Sequence, residues 1–112
     1  MREYIACYKA NGDILRFEEQ KKIKDFAKRA HGNVVDQYNT DELWWAIRNA
    51  KQNNRTLLID DLDPINSNED RAILSSLAEE FVDFCCVSNP SLNILTARIY
   101  LTICEYPPAA AQ

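Results

Sequence analysis

The strongest constraint on this chain is Thr56-Leu57-Leu58-Ile59, a continuous apolar run that ends abruptly in Asp60-Asp61-Leu62-Asp63-Pro64. Such a run, without polar alternation, suits a strand buried on both sheet faces, and strands of that kind belong to parallel sheets covered by helices on either side. Three further segments read as strands. Tyr4-Ile5-Ala6-Cys7-Tyr8 is short, apolar and aromatic-rich and is bounded by Asn11-Gly12-Asp13. Asn33-Val34-Val35-Asp36-Gln37-Tyr38 is the second, and Phe84-Cys85-Cys86-Val87, broken by Ser88-Asn89-Pro90, is the last.

Helical periodicity fills the intervals. Between Ile14 and Ala30, the residues Phe17, Gln20, Ile23, Ala27 and Ala30 mark one helix face, with Phe26 beside them and Gly32 placed to end the helix. Asn39 and Glu42 have capping-box spacing ahead of Leu43, Ala46, Ile47 and Ala50. Asn66 and Glu69 repeat that spacing ahead of Ile73, Leu74, Leu77, Ala78 and Phe81. A final stretch, Thr96 to Tyr106, sets Ile99, Tyr100 and Ile103 on one side and is stopped by Pro107-Pro108. The alternation of strands and helices predicts one α/β domain over residues 1–106, with right-handed crossovers, and a tail over 107–112.

Bulk properties agree with a single core. At 112 residues, 46% hydrophobic and 27% charged, the chain has the balance of a soluble globular domain. No apolar run approaches the roughly 18–20 residues that cross a bilayer, and the N-terminus lacks a signal-peptide layout, so a cytoplasmic location is expected. Cys7, Cys85 and Cys86 lie in apolar runs and Cys104 on an apolar helical pattern, which predicts buried, reduced thiols. A net charge of −4 opposes general attraction to phosphate. The charge is uneven: residues 1–29 carry eight Lys/Arg against five Asp/Glu, and residues 30–112 five against twelve. Because Glu18, Glu19 and Asp25 interleave with Lys21, Lys22, Lys24, Lys28 and Arg29, that basic run reads as a solvated helix face.

In an open α/β sheet, functional groups gather beyond the carboxyl ends of the strands. Those ends are Lys9 to Asp13, Asn39 to Asp41, Asp60 to Ser67 and Ser88 to Pro90. The motifs there carry a resemblance. Tyr4-Ile5-Ala6-Cys7-Tyr8 followed by Lys9-Ala10-Asn11-Gly12 resembles the opening strand of serine recombinase catalytic domains (resolvases and invertases), where Arg-Val-Ser-Thr follows and the serine attacks DNA. Gln20 falls on the family's first-helix Gln. Leu62-Asp63-Pro64-Ile65-Asn66-Ser67 is similar to its Leu-Asp-Arg-x-x-Arg, and Thr96 to Ile103 to its apolar final helix. The resemblance covers residues 4–106 and implies a three-layer α/β/α sandwich with a mainly parallel sheet in the flavodoxin-like order 2-1-3-4. Four strands are implied, or five with a short antiparallel edge strand.

The departures remove the chemistry. At the position of the attacking serine, Asn11 offers an amide, which is not a competent nucleophile. The family's arginines fall on Lys9, Pro64 and Ser67, leaving only Gln20 and Asp63 as matches. Without forked guanidiniums, bidentate phosphate recognition is lost. The resemblance therefore implies a catalytically inactive domain, with no cofactor, acting through protein contacts. Its interaction surface would comprise Ile99, Tyr100 and Ile103 on the final helix together with Trp44 or Trp45, which are adjacent and cannot share one core face. A homodimer, or a heterodimer with a related recombinase from a mobile element, is the partner this implies. DNA binding by the family's usual route is not expected, since the final helix stops at Pro107-Pro108.

Three other sites compete. Asp60, Asp61 and Asp63, with Asp13 at a neighbouring strand end, offer oxygen ligands for Mg²⁺ and define an alternative, a metal-dependent enzyme or a receiver-like or Toprim-like domain. Strand alternation sends Asp60 and Asp61 to opposite sides, which weakens it. His31, the only histidine, sits at a helix end facing local carbonyls. Cys85-Cys86 lacks the second ligand pair that zinc requires.

Overall fold

A computed structural model describes residues 1–9 and 12–105, apart from the side chain of Asp13. Its elements are β1 (Arg2–Tyr8), α1 (Asp13–Arg29), β2 (Gly32–Asn39), α2 (Leu43–Asn53), β3 (Thr56–Ile59), α3 (Asn68–Glu79), β4 (Phe84–Cys86) and α4 (Ala97–Glu105). A single 3₁₀ turn over Thr40–Glu42 leads into α2. The four strands form one parallel sheet in the order β2-β1-β3-β4. Cys85 and Asn93 make an isolated antiparallel bridge rather than a fifth strand.

Alternation along the strands divides the core in two. Ile5, Cys7, Leu57, Ile59, Phe84 and Cys86 face α2, α3 and the start of α4. Tyr4, Ala6, Tyr8 and Leu58 face α1 through Ile23 and Ala27. Helices thus cover both faces, consistent with a three-layer α/β/α arrangement. Among the described residues, no helix is long and apolar enough to cross a membrane.

Where the local pattern and the structure differ, packing explains the difference. Phe17 and Ala30 are exposed because the buried stripe of α1 runs through Glu19, Ile23 and Ala27, with Gln20 and Phe26 half-covered. Glu19, expected on a solvated face, is therefore buried. Phe81 is 76% exposed and left-handed (φ 55°), lying past the end of α3 rather than on its core face. On α4, Ala97 is buried and Tyr100 and Leu101 pack on the core, whereas Ile99 points outward.

Gly32 does not end α1. The left-handed residue is His31 (φ 60°), whose backbone N–H donates to the Lys28 carbonyl at 3.1 Å. Gly32 instead opens β2 opposite Arg2, where a Cβ would lie 2.5 Å from both the Arg2 carbonyl oxygen and the Tyr4 ring. The Tyr4 ring is buried in the core and the carbonyl belongs to the sheet, so neither yields cheaply. Gly32→Ala is expected to destabilise the fold by about 1–3 kcal/mol through overpacking. A urea midpoint equal to that of the wild type would refute this account.

Candidate functional site

Lys9 leaves the end of β1 at the centre of the carboxyl edge. Its backbone N–H is held by both carboxylate oxygens of buried Glu19, each at 3.1 Å. Its Nζ donates to Asp70 Oδ2 at 2.8 Å and to the Asp61 carbonyl at 3.0 Å. Asp70 is only 6% exposed, and a carboxylate that far out of water needs compensating donors. It has them: besides the ammonium, Oδ2 accepts from the Asp63 N–H at 2.8 Å.

The same residue closes the helix start. The Asp70 N–H donates to Ser67 Oγ at 3.1 Å, so the cap of α3 is Ser67 rather than Asn66. Asn66 belongs to the preceding turn, where its N–H and side-chain amide both donate to the Asp63 carboxylate. Buried Pro64 is fixed from two sides, since its carbonyl accepts from Arg71 Nε and from Cys104 Sγ, each at 3.0 Å. Lys9, Asp63 and Ser67 thus gather around Asp70, whereas the Pro64 carbonyl is turned to Arg71 and Cys104. Gln20 sits half-buried on α1, next to Glu19. Asn11 lies outside the described residues.

A cavity of about 620 Å³ opens beside this cluster, lined by Tyr8, Lys9, Arg16, Asn39, Thr40 and Ser76 among others. The Arg16 guanidinium lies 5.0 Å from the centre of the Tyr8 ring and donates to Asn39 Oδ1. Tyr8 donates its phenolic proton to Gln37 Oε1 at 2.7 Å, and burial raises its pKa to about 12, partly offset by Arg16. The phenol therefore stays protonated at neutral pH. The lining hydroxyls, Thr40 and Ser76, have no imidazole to activate them, because His31 immediately precedes β2 at the opposite edge of the sheet.

Among the described residues, the three aspartates after β3 each have a separate neighbour, and the side chain of Asp13 lies outside them. Asp60 accepts from Ser88 Oγ and lies 3.6 Å from Lys22 Nζ, Asp61 accepts from the Leu62 N–H at 2.9 Å, and Asp63 is occupied by Asn66. Among the described residues, no three His, Cys, Asp or Glu side chains are grouped to hold an ion. The cysteines are all free thiols: Cys7 and Cys86 are buried, Cys85 and Cys104 half-buried.

At the start of α2, both indoles of the adjacent pair are exposed, Trp44 by 59% and Trp45 by 57%, with Arg48 placed 6.0 Å over the Trp45 ring. Ile99 is 60% exposed, while Tyr100 and Ile103 are half-buried. Asp70, Glu19 and Arg16 were not singled out by sequence reasoning. The Ser67-to-Asp70 spacing was a usable signal for the first, obscured by the same spacing from Asn66 to Glu69 one residue earlier. No family model, curated protein or solved structure matches the chain.

Proposed function

We propose that this chain is a non-catalytic domain of the serine-recombinase type that acts through protein contacts, pairing with itself or with a related recombinase. The observation that carries the reading is the ion pair of Lys9 with Asp70. At the position where the resemblance calls for a phosphate-binding arginine, the cation is committed to a buried carboxylate. Ser67, at another arginine position, is spent as a helix cap, and Pro64 offers no charge at all. An edge arranged in this way serves stability rather than phosphoryl transfer.

Surface features support the contact role. Exposed tryptophans are enriched in binding hot spots, and Ile99 presents an apolar side chain away from the core on the helix the resemblance assigns to dimerisation. The wild type is expected to sediment as a dimer and Ile99→Asp as a monomer with an unchanged thermal midpoint. If Ile99→Asp sediments like the wild type, the α4 interface is wrong. Pairing with an intact serine recombinase predicts dose-dependent inhibition of that enzyme on a supercoiled substrate, relieved by the same substitution.

A further inference from the structure

On the sheet face opposite α2, α3 and α4, α1 is the one helix among the described residues, and it lies over β1 and β2. A helix is about 10 Å across and neighbouring strands are about 4.8 Å apart, so one helix screens roughly two strands of four. The shortfall falls at β4. Cys85 and Val87, together with Phe26 of α1, are only half-buried there. Two adjoining cavities of about 470 and 410 Å³ run between α1 and the end of β4, sharing Arg29 and Val87. Phe26, Ala30, Val87 and Pro90 give the groove an apolar floor. Lys22, Lys28 and Arg29 give it a cationic rim, against the carboxylates of Asp25 and of Asp60, which lies 3.6 Å from Lys22 Nζ.

We propose that this groove docks an amphipathic helix of a partner protein, with apolar side chains on Phe26, Val87 and Pro90 and with Asp or Glu side chains against Lys22, Lys28 and Arg29. The opposite face is closed by several helices, and a second helix beside α1 would complete this face in the same way. Charge complementarity selects the occupant. The chain carries −4 overall, yet this rim is net positive, so it is a place where an acidic segment approaches without repulsion. An apolar floor beside Asp25 suits protein side chains better than phosphates, whose recognition rests on ion pairs and polar donors. The groove is distinct from α4 and from Trp44 and Trp45, so it stands independently of the self-association reading.

The test uses the full chain, isotope-labelled for NMR, and a synthetic helical peptide of about 18 residues with Leu at helical spacing and Glu on both flanks. The controls are the same peptide with every Glu replaced by Lys, and a single-stranded oligonucleotide of about 20 nucleotides. The Glu peptide is expected to bind at least about tenfold more tightly than the Lys peptide and to shift the amides of Ala30, Val87 and Ser88. Arg29→Glu, an exposed substitution, should remove that preference without moving the thermal midpoint, and Ile99→Asp should leave binding unchanged. Equal affinity for both peptides, no binding, shifts centred on α4 or α2, or tighter binding of the oligonucleotide would each overturn the proposal.

Discussion

Asp70→Ala is expected to lower the unfolding free energy by about 3 kcal/mol, at the low end of what breaking a buried ion pair costs. The carboxylate receives both the Lys9 ammonium and the Asp63 N–H, and its removal takes that acceptor from both donors. Lys9 retains the Asp61 carbonyl and its side chain is about one-third exposed, so water recovers part of the loss. For a domain of this length, the thermal midpoint should fall by roughly 10–15 °C. Asp70→Asn keeps an acceptor oxygen and should lose less. If alanine and asparagine behave alike and both cost under about 1 kcal/mol, the carboxylate is not the anchor of this edge.

Stability should fall steadily as the solution is made alkaline above about pH 9. Burial, the largest cause in each case, raises the Cys7 and Cys86 thiols from near 9 to about 12, helped by Glu19 for Cys7 and by Asp61 for Cys86. In the unfolded chain these thiols lose their protons first, so rising pH draws the equilibrium toward unfolding. Their contribution to stability is complete below about pH 9 and is lost progressively up to about pH 12, by as much as about 1.4 kcal/mol per pH unit for each thiol. Tyr8, raised in the same direction, adds to the slope above about pH 10. Urea unfolding followed by circular dichroism across this range measures the effect, and Cys7→Ala should flatten the profile. A stability independent of pH between about 9 and 11 would show that these thiols are not held protonated by the fold.

Much of the architecture was legible because parallel α/β folds write their layers into apolar runs. Leu57, Leu58 and Ile59 had to face two layers at once, and they do. The capping-box spacing at Asn39 and Glu42 also has a structural counterpart, with Glu42 Oε1 accepting from the Asn39 N–H at 3.1 Å. What sequence could not resolve was partnership over distance. Asp70 matters because it meets a lysine 61 positions earlier, and no local rule ranks it above Glu69. Periodicity likewise identified α4 as amphipathic without saying that Tyr100 turns in and Ile99 turns out. Three aspartates within four positions looked like a cluster, but the turn after β3 gives each a separate neighbour.

The placement of β1 between β2 and β3 also bears on how the chain is made. Of the four strands, β1 is made before the others yet takes an inner place, and its second neighbour, β3, spans Thr56–Ile59. Until Thr56–Ile59 has been synthesised, one long edge of Tyr4 to Cys7 carries unpaired amides and carbonyls beside an apolar surface. Nascent chains stalled before Thr56 are therefore the species most in need of a chaperone, and the most prone to pair with one another.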